Sequence, residues 1–333
     1  MSTNRRTAWV LAIVGVAQVV AVLFVVLFGD LGSTFLAMYL MAYTLGMRHA
    51  LDADHIAAID NVSRSMLSRA EHPTSVGLFF ALGHSAVVSI VTLLVAAGAS
   101  RLQAMATHLQ GVVASLSSIL AALILFYMVP RNLRVAWRIF RNRKSSTSSM
   151  TSTAAGGVAS RLLARFLAAQ LRGWHMLLIG ALFGLGFETA TALSMIALVG
   201  AQSAQGLRVS SLVIFPLLFT AGMVLVDSLD GVLMERAYGW ALRRPDRHLI
   251  YNFSVTLVSV LLALIIGFVE LGASIRQFAV IHGGVVIDFV EGHMDTIGAA
   301  VIIGFAGAYV FASLRPGATA NVPKNPEDAE FNS

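Results

Sequence analysis

The sequence predicts an all-α membrane protein, a polytopic bundle of about eight transmembrane helices. Hydrophobic residues make up 57% of the 333-residue chain and charged residues only 12%. That charged share is about half of what an average soluble domain carries. Several apolar runs reach the ~20 residues that a helix needs to cross a bilayer. Because these runs are continuous rather than alternating, they favour helices over the strands of a transmembrane barrel.

Eight apolar runs define the predicted spans. They cover residues 8–28, 33 into the polar stretch at 46–56, 74–99, 112–129, 174–200, 212–234, 251–271 and 296–312. The first run follows Arg5 and Arg6, as a signal peptide would. It is long enough to span a membrane and no small-residue cleavage site closes it, so we interpret it as a helix that is retained. Residues 1–315 are therefore expected to form one integral membrane domain.

The basic residues predict the orientation of these spans. With the N-terminus in the cytoplasm, nineteen Lys and Arg residues fall on cytoplasmic segments and three on outer ones, namely Arg101, Arg208 and Arg276. Cytoplasmic loops of membrane proteins carry such an excess. Both termini are thus predicted to be cytoplasmic. The net charge of +6 follows from the basic residues on the cytoplasmic segments, which lie beside membrane lipid. Nucleic acid is therefore not expected as a partner.

The longest predicted cytoplasmic loop covers residues 131–172. Its middle, residues 145–157, is rich in Ser, Thr and Gly, which is typical of a flexible linker. The tail at 316–333 is polar and contains Pro, so it is predicted to be disordered.

The most polar stretch in a predicted span is Gly46-Met-Arg-His-Ala-Leu-Asp-Ala-Asp-His-Ile56. Ionisable residues at membrane depth are costly and usually mark an ion or substrate path. If the stretch stays helical, His49, Asp52 and His55 fall within about 120° of one another, with Asp52 central, and Asp54 points elsewhere. If the helix unwinds beside a cavity, Asp54 also becomes a candidate. The plainer alternative is a helix end with solvated charges.

Three further predicted spans carry deep ionisable residues: His84 in the third, Glu188 in the fifth, and Asp227 with Asp230 in the sixth. Each alone is more often a structural hydrogen-bonding group. Together they lie at overlapping depth, where buried acids repel unless protons or a cation compensate them. Without any cysteine, imidazole and carboxylate ligands suit nickel, cobalt, zinc or manganese. The predicted divalent-metal ligands are His49, Asp52, Asp54, His55, His84, Glu188, Asp227 and Asp230.

Short sequence similarities between the spans indicate that the chain has two related halves. Phe80-Ala-Leu-Gly-His-Ser85 resembles Phe183-Gly-Leu-Gly-Phe-Glu-Thr189, and the Gly-Met pair before the acids of the second span recurs at Gly222. Many transporters place a substrate site at the interface of such repeats.

The chain resembles the nickel/cobalt transporter family of bacterial inner membranes. Four motifs carry the resemblance, in the family's order: Arg48-His-Ala-Leu-Asp-Ala-Asp-His-Ile56, Leu82-Gly-His-Ser85, Leu185-Gly-Phe-Glu-Thr-Ala-Thr191 and Gly222-Met-Val-Leu-Val-Asp-Ser-Leu-Asp-Gly231. The resemblance implies high-affinity uptake of Ni²⁺ or Co²⁺, with His49, Asp54 and His55 as the essential set of the second span.

The chain departs from the family pattern at three positions. Glu188 stands where the family usually has Asp, Ala192 where it has a second acid, and Ser228 where it has Thr. Ala192 removes a carboxylate, so these motifs do not decide between nickel and cobalt.

The function expected from these observations is secondary uptake of Ni²⁺ or Co²⁺ across the bacterial inner membrane, with no cofactor beyond the transported ion. The sequence lacks the phosphate-binding loop of an ATPase, and eight spans are self-contained, so no ATPase subunit is expected. The alternative is an efflux permease of a related branch, against which the missing histidine-rich loop argues. An enzyme is not expected, since the His-Glu-x-x-His motif of metalloproteases is absent.

Overall fold

All regular structure in the described part of the chain is α-helical. The computed structural model describes residues 3–67, 69, 71–96, 115–130, 132–134, 172–186, 190–243, 249–279 and 285–314. Its helices are α1 (Thr3–Phe28), α2 (Ser33–His49), α3 (Ala53–Leu67), α4 (Val76–Ala96), α5 (Ser115–Arg134), α6 (His175–Gly184), α7 (Ala190–Ala204), α8 (Val209–Leu212), α9 (Ile214–Arg243), α10 (Leu249–Ala279), α11 (Val285–Gly292) and α12 (Met294–Leu314).

Six of these helices, α1, α4, α5, α9, α10 and α12, are long and apolar enough to cross a membrane. They correspond to the first, third, fourth, sixth, seventh and eighth predicted spans, which confirms the polytopic helical bundle. The other two predicted spans are interrupted. The second divides into α2 and α3, and the fifth corresponds to the shorter apolar helices α6 and α7.

The break between α2 and α3 consists of one tighter turn. The N–H groups of Leu51 and Asp52 donate to the carbonyls three residues earlier, of Arg48 and His49, at 3.0 Å each. This tighter turn ends α2, and α3 begins at once because the Asp52 carbonyl accepts from the Ile56 N–H at 3.3 Å. Asp52 thereby occupies the N-cap position of α3, where Asp is among the preferred residues.

Helix α9 lies at the centre of the bundle and packs against α1, α2, α3 and α4. Its contact with α2 is close because glycines face it from both sides. A Cβ atom built on Gly46 of α2 would lie 2.0 Å from the Phe219 carbonyl oxygen, and one built on Gly222 of α9 would lie 2.3 Å from that of Tyr43. Small residues allow such backbone approach in membranes, where packing rather than the hydrophobic effect holds helices together.

The outer faces of several spans carry exposed large apolar side chains, for example Val16 and Leu27 of α1, Phe268 of α10 and Ile303 of α12. In a membrane such side chains contact lipid, so their exposure fits a multi-pass membrane protein. The predicted flexible linker at 145–157 and the predicted disordered tail at 316–333 lie outside the described residues.

Candidate metal centre

Three histidines from three helices converge inside the bundle. His49 is the last residue of α2, His55 lies in the first turn of α3, and His84 lies within α4. All three are buried, and each offers a ring nitrogen within 4.8 Å of the others. The Nε2 atoms of His49 and His84 are 2.8 Å apart.

The break after α2 allows His49 and His55 to point toward the same place. On a continuous helix, side chains six residues apart point about 120° from each other. The turn at residues 50–52 instead brings the ring centres of His49 and His55 to 4.8 Å, and that of His55 to 4.7 Å from His84. Of the two conformations considered for the second predicted span, the structure therefore adopts the interrupted one.

Two buried carboxylates contact the outer nitrogens of these rings. Nδ1 of His49 lies 2.9 Å from Oδ2 of Asp52, and Nδ1 of His55 lies 3.3 Å from Oδ2 of Asp227. A carboxylate that accepts from Nδ1–H fixes the tautomer in which Nε2 is unprotonated, as in many metal sites. Nε2 of His55 has no hydrogen-bond partner among the described residues, so its lone pair is available to a ligand.

The remaining predicted residues take different places. Asp54 is buried in the first turn of α3, and its Oδ1 accepts from the His55 backbone N–H at 2.9 Å. This end of a helix favours negative charge. Asp230 lies one turn beyond Asp227 on α9 and contacts none of the three histidines through a hydrogen bond. Glu188 lies outside the described residues.

Two aromatic side chains, absent from the predicted ligand set, complete the walls of the centre. The Phe80 ring packs edge-on against His55 at 4.8 Å, and the Phe219 ring lies 5.6 Å from His49. Both phenylalanines are fully buried. Phe80 precedes His84 by four positions, so both lie on the same helix face. This spacing predicts that Phe80 lies beside the site. An apolar wall strengthens every electrostatic interaction at the centre.

The chemistry of this arrangement suits a borderline divalent cation. Two Nε2 lone pairs at 2.8 Å repel each other unless a proton or a cation lies nearby. Imidazole nitrogen is a favoured ligand for nickel, cobalt and zinc. The bundle thus offers three convergent imidazoles with two supporting carboxylates. Whether each predicted residue ligates the ion stays a prediction.

Comparison with known proteins agrees with this chemistry. The profile of a family described as high-affinity nickel-transport protein matches residues 35–315. The nickel transporter NixA of Staphylococcus aureus is 32% identical over 320 residues, which cover 93% of this chain and 95% of that protein. The hydrogenase nickel incorporation protein HupN of Bradyrhizobium diazoefficiens is 38% identical over 287 residues, covering 83% and 75% of the two chains.

A relative named for cobalt has a sequence identity to this chain that is similar to that of the nickel proteins. The cobalt transport protein NhlF of Rhodococcus rhodochrous is 35% identical over 292 residues, which cover 83% of this chain and 82% of that protein. No solved structure shows significant similarity to this chain. Since the family profile spans most of the sequence, the chain belongs to the high-affinity nickel-transport protein family.

Proposed function

We propose that this protein takes up Ni²⁺ or Co²⁺ across the bacterial inner membrane as a secondary permease. The observation that carries the proposal is the convergence of three buried imidazoles, from α2, α3 and α4, within a bundle of membrane-spanning helices. The names of the relatives, which include both nickel and cobalt transporters, support the substrate class. The transported ion is the substrate, and no resident cofactor is part of the proposal.

In this proposal His49, His55 and His84 supply nitrogen ligands. Asp52 and Asp227 hold the His49 and His55 rings so that Nε2 points at the ion. Their negative charges also offset part of the ion's charge, and Asp54 adds a third carboxylate close to His55. A site that binds a dehydrated ion in this way replaces its lost water with fixed ligands. Glu188 and Asp230 remain predicted ligands of the ion.

The membrane potential can drive inward movement of a doubly charged ion. It supplies ~2.3 kcal/mol per elementary charge per 100 mV, hence ~4.6 kcal/mol for the ion. This is sufficient for accumulation without ATP hydrolysis, so the proposal includes no ATPase subunit. The distribution of Lys and Arg supports cytoplasmic termini, and with that orientation the ion passes from the outer ends of α2 and α9 toward the inner end of α3. The family is one of transport proteins, and no enzymatic activity is proposed.

Uptake of ⁶³Ni²⁺ and ⁵⁷Co²⁺ at nanomolar concentration by bacteria expressing the full chain tests the proposal. We expect uptake above that of the empty vector and its loss in His49→Ala and His84→Ala. The matched control is His293→Ala, because the His293 side chain is exposed and its ring contacts the Phe289 carbonyl at 2.8 Å, away from the three buried histidines. Equal amounts of each variant in the membrane fraction are verified by immunoblot.

Two results would contradict the proposal. Uptake equal to that of the empty vector, with the protein present in the membrane, would remove the transport function. Lower metal content than in control cells would instead indicate efflux, the alternative direction. Competition between the two labelled ions identifies the preferred metal.

A further inference from the structure

A second group of buried acids lies beyond the histidines on the same two helices. Asp60 follows His55 by five residues on α3, and Asp230 follows Asp227 by three residues on α9. At 1.5 Å per residue these steps correspond to about 7.5 Å and 4.5 Å along the helix axes. Asp60 and Asp230 are both buried, with 0% and 3% of their surface exposed.

The carboxylate oxygens of this group are largely unsatisfied. Neither oxygen of Asp230, nor Oδ2 of Asp60, has a hydrogen-bond partner in the part of the chain that the structure describes. Helix α3 packs against α9, and the Tyr238 hydroxyl of α9 donates to Oδ1 of Asp60, so Asp60 faces the helix that carries Asp227 and Asp230. Taking such anions out of water costs several kcal/mol each unless a cation or hydrogen-bond donors compensate.

One buried cation is nearby, and its hydrogen bonds are directed elsewhere. The Arg64 guanidinium lies 4.0 Å above the Tyr238 ring, and its NH2 nitrogen donates to Ser259 at 3.0 Å. It reaches the nearest oxygen of Asp60 only at 3.8 Å. The hydroxyl of Tyr238 donates to that same Asp60 oxygen. One guanidinium cannot neutralise two ionised carboxylates, and three of their four oxygens have no hydrogen-bond partner among the described residues.

The group also connects to the surface. Glu235 follows Asp230 by five residues on α9 and is buried, with Oε2 unpaired among the described residues. Its Oε1 lies 3.0 Å from Nδ1 of His72, whose side chain is 38% exposed. Along the α9 axis Glu235 lies about 7.5 Å beyond Asp230 and about 140° around the helix from it, at the end of α9 where His72 is accessible.

We propose that Asp60 and Asp230 form a second binding site for the transported divalent cation, on its path between the histidine cluster and the surface at His72 and Glu235. This inference rests on the proposed transport function. Carboxylate oxygens are harder ligands than imidazole and suit manganese or magnesium better than nickel. Such a site holds Ni²⁺ more weakly than three histidines do, and conduction requires sites from which an ion can leave.

The test is equilibrium dialysis of the purified full-length protein in detergent against ⁶³Ni²⁺, with and without excess Mn²⁺. We expect two ions bound per wild-type chain, one of which Mn²⁺ displaces. Asp230→Asn should bind one ion that Mn²⁺ does not displace. His84→Ala should lose the tight ion and keep the displaceable one. The control Asp30→Asn should bind as the wild type does, because Asp30 is an exposed acid whose Oδ1 accepts from the Gly32 N–H, a role that Asn also fulfils.

Asp230→Asn is suited to this test because its side chain makes no hydrogen bond that the substitution would break. Size-exclusion chromatography and circular dichroism verify its fold, and Asp60→Asn provides a second variant with the same expected stoichiometry. If Asp230→Asn and Asp60→Asn both bind as the wild type does, the second site is wrong. A single ion, lost in His84→Ala only, would likewise overturn it and leave the proposed transport function intact. Absence of any binding, together with absence of uptake in cells, would overturn both.

Discussion

Replacing Gly46 by alanine should disable the metal centre without removing any of its ligands. Gly46 lies one turn before His49 on α2 and faces the backbone of α9. A Cβ atom at this position would lie 2.0 Å from the carbonyl oxygen of Phe219, and within 2.8 Å of its carbonyl carbon and Cα. Backbone atoms of a central helix cannot rotate away as a side chain can. Helices α2 and α9 must therefore separate.

The size of the separation follows from the contact distance. An ordinary van der Waals contact begins at 3.4 Å, so the carbonyl oxygen and the new methyl group need about 1.4 Å more room. A metal site tolerates deviations of only ~0.2 Å in its ligand distances. His49 moves with α2 while His84 stays with α4, so the shift exceeds that tolerance several-fold. Overpacking of this kind typically costs about 1–3 kcal/mol of stability.

The assay combines ⁶³Ni²⁺ uptake in cells with the thermal midpoint of the purified protein in detergent. We expect Gly46→Ala to abolish uptake and to lower the midpoint. Gly15→Ala is the matched control, since a methyl group on this residue of α1 meets nothing within 4 Å. It should retain uptake and gain as much as ~1 kcal/mol from the better helix propensity of alanine. A Gly46→Ala variant with the uptake and the midpoint of the wild type would show that this close helix packing does not hold the metal centre in place.

Three further substitutions address single contacts. Asp52→Asn keeps the shape of the side chain that contacts His49 and removes its charge. The Ni²⁺ affinity measured by dialysis should therefore fall about 10–100-fold. An unchanged affinity would exclude a role of Asp52 in holding the His49 ring. Tyr238→Phe deletes the hydroxyl that donates to buried Asp60 and should destabilise the protein by about 1–3 kcal/mol. An unaltered thermal midpoint would show that this hydrogen bond does not stabilise the fold. Arg48→Gln removes the ion pair with Asp295, in which the Arg48 side chain is 59% exposed. It should lower the free energy of unfolding by less than ~1 kcal/mol. A large drop in the thermal midpoint would show that this pair is energetically coupled to the core.

The residue pattern predicts the class of the protein and a set of candidate metal ligands. Continuous apolar runs predict helices directly, because a bilayer offers no other hydrogen-bond partner to the backbone. His49, His55 and His84 were identifiable one by one, since an ionisable residue in an apolar span is rare and costly. The four motifs also indicated the family, and the match over residues 35–315 confirms that membership.

Helix α2 shows where sequence reasoning was insufficient. The pattern of residues 46–56 was compatible with a continuous helix and with a broken one, because each residue type in it is acceptable in both. The choice is made by tertiary contacts. Gly298 of α12 packs against the turn so closely that a Cβ there would lie 1.8 Å from the Leu51 carbonyl oxygen. That contact joins residues almost 250 positions apart, which no local pattern encodes.

The roles of the individual carboxylates were also decided by the tertiary structure. Composition and depth placed Asp52, Asp227 and Asp230 in one set of candidate ligands. Only the packing of α3 beside α9 distinguishes Asp227, which contacts His55, from Asp230, which makes no hydrogen bond within the described residues. Which side chains carry charge is a property of residue type and can be read from the chain directly. Which of those charges meet depends on how the helices pack, and that packing is set by contacts between residues far apart in the chain.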